Sequence, residues 1–243
     1  MRETVTRVND GIELIQKSGG QMFGTDAFLL YAFVRPTPKK KAVELGAGSG
    51  IVSLLCAAKG KFSHIDALEI QPEMAEIARR NVDHNRLSDA VSVIGADLRE
   101  YKGKADAVFT NPPYIKYGAG VHNPDGVKNI SRREVCGGIE DFAACASRLL
   151  SHGGYFYCVW RPDRLTDLLD AMRSRGIEPK RLINVYPEPD AAPCLVLVEG
   201  RRGANPGALY ITPPFILNRD GRPTEECGEV YERGEFGGRY LKP

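Results

Sequence analysis

The stretch Gly46-Ala47-Gly48-Ser49-Gly50, set directly after Ala42-Val43-Glu44-Leu45, which reads as a buried strand, restricts the folds open to this chain more than any other segment. Glycines at alternate positions let the backbone turn sharply and approach a ligand closely. The free N–H groups of a following helix then favour an anionic group such as a carboxylate. That helix is predicted from Ile51 to Lys59, with Gly60 in the place of a left-handed C-terminal cap. The spacing differs by one position from the G-x-G-x-x-G dinucleotide fingerprint. Taken alone, the loop also reads as a tight strand-to-helix turn with no ligand.

The residues around the loop decide between these readings. Strand and helix signals alternate from about residue 41 to 200, the pattern of an α/β fold with a mostly parallel sheet. His64 to Ile70, Val91 to Ile94, Ala105 to Phe109, Tyr155 to Val159, Arg181 to Val185 and Cys194 to Val198 follow the first strand as predicted strands. Helices are predicted from Pro72 to Arg86, Gly138 to Leu150 and Pro162 to Arg175. Residues 115–132 carry Gly, Asn and Pro without periodicity, and a loop of that length in a compact domain is functional or disordered. The tail from Ile211 to Pro243 is rich in Gly, Glu and Pro, and its end is expected to be mobile.

With 243 residues, 42% of them hydrophobic and 26% charged, the chain can bury the core of one sizeable domain. A net charge of +2 excludes nothing about nucleic acid, because local clusters form a phosphate-binding surface. Lys39-Lys40-Lys41, Arg132-Arg133 and Arg201-Arg202 are such clusters, each also readable as a solvated loop. The six cysteines form no CxxC pair and the four histidines have no ligand spacing, so no metal site is expected. Cysteines in apolar stretches, such as Cys56, read as buried thiols of a reducing compartment. No signal peptide or membrane-spanning run is apparent, and a cytoplasmic location follows as an expectation.

Two acids and one tetrapeptide carry the chemistry. Glu69 ends the second strand at the spacing of about 20 residues at which doubly wound folds place an acid on ribose hydroxyls. Asp97 stands in the corresponding place after the third strand, where a surface acid is the alternative reading. Asn111-Pro112-Pro113-Tyr114 follows the fourth strand directly. An exocyclic amine on adenine is a weak nucleophile because its lone pair is delocalised into the ring. If the Asn111 side-chain oxygen and the Pro112 carbonyl accept the two amino protons, the nitrogen turns its electron density toward an incoming methyl group. Two prolines fix the carbonyl in place, and Tyr114 offers a ring on which a flipped base or planar amide can stack. Trp160, at the end of an apolar strand, reads as packing.

Val43 to Gly50 and Asn111 to Tyr114 together resemble the cofactor and target motifs of class I amino-methyltransferases. That group holds adenine-N6 DNA and RNA enzymes and protein-glutamine N5 enzymes that modify release factors. Ile15-Gln16 and the segment from Phe23 to Leu30 resemble the N-terminal signature of the bacterial valine-tRNA adenine-N6-methyltransferases. Arg161 to Leu165 and Ile177 to Arg181 are similar to that group as well, so the likeness runs from Gly11 to Glu199.

The resemblance implies a Rossmann-like fold with a seven-stranded, mostly parallel sheet and helices on both faces. It implies S-adenosylmethionine as cofactor and S-adenosylhomocysteine as product. Expected cofactor positions are Gly24, Thr25, Asp26, Glu44, Gly46, Gly48, Gly50, Glu69, Asp97 and Asn111; Asn111, Pro112, Pro113 and Tyr114 are expected to present the target nitrogen. Residues 1–40 would form an element covering the cofactor, 41–200 the methyltransferase domain, and 201–243 a partly flexible extension. A tRNA is the expected substrate. The 115–132 loop has its own composition, and its Lys116 and Lys128, with Arg132 and Arg133, read either as a basic rim for phosphates or as solvated charges. A release-factor glutamine and a non-catalytic cofactor- or RNA-binding module stay open as rival functions.

Overall fold

A computed structural model describes residues 3–9, 11–17, 24–113 and 137–241. Tyr114, the 115–132 loop with its basic residues, and Phe23 lie outside them.

The chain opens with an antiparallel hairpin, β1 (Glu3–Asn9) and β2 (Ile12–Lys17), followed by α1 (Thr25–Phe33). The alternating part comprises β3 (Lys41–Leu45), α2 (Ile51–Ala58), β4 (His64–Glu69), α3 (Pro72–His84), β5 (Val91–Gly95), β6 (Ala105–Thr110), α4 (Ile139–Leu149), β7 (Leu150–Trp160), α5 (Leu165–Ser174), β8 (Ile177–Tyr186) and β9 (Leu195–Arg202). The last part holds short strands β10 (Tyr210–Ile211), β11 (Phe215–Ile216), β12 (Asn218–Arg219) and β13 (Arg222–Pro223), then α6 (Glu225–Arg233).

The seven expected strands lie in the order β5-β4-β3-β6-β7-β9-β8, with β10 and β11 added along β8. Pairing is parallel from β5 through β7 and antiparallel at β9. Side chains alternate across the strands and divide the interior in two. Ala42, Ala107, Phe109, Tyr157 and Ile183 face α1 and α2, while Val43, Val108, Phe156, Cys158 and Leu182 face α4 and α5. The chain moves outward from β3 in both directions, so a crevice opens beyond the ends of β3 and β6.

Several boundaries differ from the sequence reading. β7 begins at Leu150, ahead of Tyr155, and reaches its register through an irregularity between Ala105 and Ala107 of β6. The helix expected from Pro162 starts as a 3₁₀ turn over Pro162–Arg164. Trp160 is buried as expected, and its Nε1 donates to the Arg164 carbonyl at 2.9 Å. Cys56, Cys145, Cys158 and Cys227 are buried thiols, whereas Cys194 is exposed.

The C-terminal segment, expected to be partly flexible, is folded onto the body through residue 241. Its few apolar residues are concentrated inward: Phe215, Val230, Phe236 and Tyr240 are buried, with Phe236 edge-on to both Phe215 and Tyr240. Two buried cations tie it down further. Lys61 Nζ donates to the carbonyls of Tyr31 (2.7 Å) and Val34 (2.9 Å) at the end of α1, and of Gly234 (3.1 Å) at the end of α6. Arg181 donates to the Phe33 and Tyr240 carbonyls and pairs with Glu199 at 2.6 Å. Average composition over the segment conceals this, because a few well-placed apolar groups and carbonyls do the anchoring.

Candidate active site

Strand register brings the sequence motifs to one end of the sheet. Leu45 pairs with Thr110 on one side and Leu68 on the other, and Glu69 pairs with Gly95. Gly46, Glu69, Asp97 and Asn111 therefore all leave the carboxyl ends of neighbouring parallel strands, where open α/β sheets bind ligands. The Thr110 hydroxyl, fully buried, donates to the Leu45 carbonyl at 2.7 Å and fixes the height of Asn111 relative to Gly46.

Gly46, Gly48 and Gly50 have φ of 70°, 56° and 84°, a region that L side chains seldom occupy. A Cβ on Gly50 would sit 3.4 Å from Ala78, whereas one on Gly48 would meet nothing within 4 Å, so the loop presents an open concavity at Gly48. The carbonyl of Gly50 accepts from Leu54 at 2.9 Å and starts α2. Glu44 sits beneath the loop and is only 2% exposed. One of its carboxyl oxygens accepts from both the backbone N–H and the hydroxyl of Ser53. Burial lifts the Glu44 carboxyl to about 8, with the Ser53 hydrogen bonds opposing. Glu44 thus braces the turn from loop to helix.

Glu69 is buried and its two carboxylate oxygens accept from the Gly48 N–H at 2.8 Å and the Gln71 N–H at 2.9 Å. Oε1 also accepts from Gln71 Nε2 at 3.4 Å, and Oε2 retains a second lone pair for a hydroxyl donor. Asp97 is gripped by Arg99, whose Nε lies 2.9 Å from both carboxylate oxygens and whose backbone N–H donates at 2.8 Å. Those hydrogen bonds hold the Asp97 carboxyl below its ordinary range.

Asn111 is half-buried, Pro112 buried and Pro113 exposed. The Asn111 Nδ2 donates to Asp26 Oδ2 at 2.9 Å. Asp26 lies in the first turn of α1 and its Oδ1 accepts from the Ala27 N–H at 2.9 Å. Thr25 and Gly24 are exposed beside it. From α6, Tyr231 stacks on Phe28 with ring centroids 4.2 Å apart and interplanar angle 1°. The structure therefore gathers Asp26 and Asn111 into one constellation that also receives Tyr231.

Sequence reasoning missed Tyr231 and two asparagines, Asn81 on α3 and Asn85 just past its end. Asn81, fully buried, accepts from the Ile15 N–H at 2.7 Å and donates to the Ile15 carbonyl (3.2 Å) and to the Ser49 carbonyl of the glycine loop (3.0 Å). One turn later, Asn85 accepts from the Glu13 N–H at 2.9 Å and donates to its carbonyl at 2.7 Å. Two amides four residues apart on a helix match two strand residues two apart, so α3 imitates a neighbouring strand for β2. The signal available was an asparagine on the apolar face of α3 beside Ile77 and Ala78, where a polar group needs partners.

Among the described residues, no three His, Cys, Asp or Glu side chains gather as metal ligands would, and no helix is long and apolar enough to cross a membrane. Residues 22–168, more than half the chain, match the family profile described as "methyltransferase small domain". The chain belongs to that family. Curated relatives include the tRNA1(Val) (adenine(37)-N6)-methyltransferase of Bacteroides fragilis (strain YCH46), 30% identical over 180 residues, which are 72% of this chain and 75% of the relative. The enzyme of the same name from Porphyromonas gingivalis is 28% identical over 189 residues, 73% of each chain. The likeness to the valine-tRNA adenine-N6-methyltransferases read from the sequence is thus borne out.

Among solved structures, a predicted O-methyltransferase, Atu636 from Agrobacterium tumefaciens, superposes with a TM-score of 0.68 at 24% identity, covering 88% of this chain and 98% of that one. M. jannaschii TYW2, solved in complex with AdoMet, superposes with a TM-score of 0.57 at 17% identity, covering 82% and 86%. Both confirm the class I methyltransferase fold. The residues of this methyltransferase fit S-adenosylmethionine: an open glycine cradle at the N-terminus of α2 for a carboxylate, and Glu69 beside it for a hydroxyl donor.

Proposed function

We propose that this methyltransferase transfers a methyl group from S-adenosylmethionine to the exocyclic N6 amine of an adenine in tRNA. The observation that carries the reading is Asn111: it stands at the end of β6, level with the glycine loop, with its amide nitrogen drawn to Asp26. The relatives named as tRNA adenine-N6 enzymes, matched over about three-quarters of their length, support the choice of substrate.

When bound, the cofactor supplies a methyl group already activated on a sulfonium, a good leaving group. Gly46, Gly48 and Gly50 would shape the cradle for the methionine end at the N-terminus of α2, Glu69 would hold the ribose, and Asp97 would lie beside the adenine ring. Asn111 Oδ1 and the Pro112 carbonyl accept the two amino protons of the target. With both N–H bonds engaged, the nitrogen lone pair is localised away from the purine ring, and the same two oxygens stabilise the positive charge that develops on nitrogen. Such an arrangement needs no strong general base, and the surplus proton leaves to solvent after transfer. Pro113 stiffens the turn, and Tyr114 supplies a stacking surface for the base. A tRNA substrate places the protein in the cytoplasm.

The test incubates the protein with radiolabelled cofactor and either total tRNA or a release factor, followed by nucleoside mass spectrometry. Label in tRNA recovered as N6-methyladenosine is expected. Label confined to the release factor would replace this reading with glutamine methylation.

A further inference from the structure

We infer that Asp26 is a positioning residue for methyl transfer: its carboxylate decides which end of the Asn111 amide faces the target amine. The inference rests on the function proposed above and deepens it, because the resemblance assigns Asp26 to the cofactor whereas the geometry joins it to Asn111.

An asparagine amide has two ends of nearly the same shape and opposite chemistry, a donor NH₂ and an acceptor oxygen. With the oxygen toward the substrate, Asn111 accepts an amino proton. With the nitrogen toward the substrate, a donor faces a donor and the lone pair is left in the ring. Nothing within the asparagine itself selects the first orientation. A carboxylate only accepts, so the 2.9 Å contact of Asp26 Oδ2 is made to Nδ2, and the amide oxygen is turned to the opposite side.

Asp26 is itself held in place. Its Oδ1 accepts from the Ala27 N–H at 2.9 Å, and its negative charge lies in the first turn of α1, where the helix dipole stabilises it. Gly24 leaves room for it: a Cβ at that position would lie 2.6 Å from Oδ1. Gly24 has φ −103° and ψ 175°, an extended conformation that alanine adopts readily, so the close approach to Asp26 is what requires glycine there. The helix is rigidly seated, with every residue from Ala27 to Phe33 buried. A negative charge behind the amide nitrogen also polarises the amide and strengthens its oxygen as an acceptor.

The experiment uses the full chain and the variants Asp26→Asn, Gly24→Ala, Asn111→Ala and Asp26→Asn with Asn111→Ala. An asparagine at 26 keeps the shape but can present either end, so Asn111 is free to turn over. Alanine at 24 displaces the carboxylate without altering it. Each of these two changes is expected to lower kcat for tRNA roughly 10- to 100-fold. KM for tRNA and the Kd for S-adenosylhomocysteine should stay within about twofold of the parent. The double variant should be no slower than Asn111→Ala alone, since both act through one group.

A readout independent of substrate is the side-chain NH₂ resonance pair of Asn111 in ¹⁵N-asparagine-labelled protein, assigned by its loss in Asn111→Ala. It should be protected from water exchange in the parent and lose that protection in Asp26→Asn. A drop in S-adenosylhomocysteine affinity matching the drop in kcat would make Asp26 a cofactor contact, and unchanged kcat or unchanged Asn111 protection would also overturn the inference. If tRNA proves not to be methylated, the substrate reading fails while the resonance still decides the Asp26 contact.

Discussion

The Thr110 hydroxyl and the Leu45 carbonyl, 2.7 Å apart, join the last residue of β6 to the last residue of β3. That bond crosses the switch point of the sheet, and it couples the strand that delivers Asn111 to the strand that delivers the glycine loop. Thr110→Val keeps the volume and removes the donor, leaving a buried carbonyl one partner short. A loss of about 1–2 kcal/mol in stability is expected, read from chemical denaturation, together with a several-fold lower kcat. An unchanged kcat would show that strand pairing alone fixes the height of Asn111.

Asn111→Ala removes one of two proposed acceptors. Methyl transfer should fall by roughly 100- to 1000-fold, the range seen when one preorganised hydrogen-bonding group is deleted from a site that stabilises developing charge. Calorimetric titration with S-adenosylhomocysteine should give an affinity close to that of the parent. Parallel losses in both measurements would assign Asn111 to the cofactor instead.

Asn81→Ala should loosen the N-terminal hairpin and the glycine loop together, because one amide serves Ile15 and Ser49. Leaving those backbone groups unpaired is expected to cost about 2–4 kcal/mol. Hydrogen exchange at the Ile15 amide should quicken, and the affinity for S-adenosylhomocysteine should weaken several-fold. Faster exchange with intact affinity would confine the role of Asn81 to the hairpin.

Glu44 gives the fold a pH dependence of a definite sign. Its carboxyl is raised from an ordinary value of 4.5 to about 8, chiefly by burial. Between those values the folded protein keeps a proton that the unfolded chain has released. The stability due to this group is therefore complete at acid pH and declines as pH rises through the window. Glu44→Gln, neutral at every pH, should flatten the decline in Tm between about pH 5 and pH 8. Identical Tm profiles for parent and variant would mean that Glu44 is ionised in the fold.

The parts of the fold written in local pattern were legible in the sequence. The β3 strand, the glycine loop and α2 follow from short-range signals, and Pro72 marked the first turn of α3. Asn111 was legible because its chemistry depends on the residues beside it. What the sequence hid was long-range satisfaction of polar groups. The Asp26 to Asn111 bond spans 85 positions, the Arg181 bond to Phe33 spans 148, and no periodicity reports either one. In the C-terminal segment, likewise, Phe215, Phe236 and Tyr240 are sparse in sequence and contiguous in space.

Lys61 carries this dependence into the history of the chain. Its ammonium needs acceptors 30 residues behind it and 173 residues ahead. During synthesis, α1 can be translated and docked long before Gly234 emerges, but until then a cation is enclosed with part of its acceptor set missing. The helix that carries Asp26 is thus secured only when α6 has docked, and a nascent chain lacking that segment holds its methyl-transfer centre on an unfinished support.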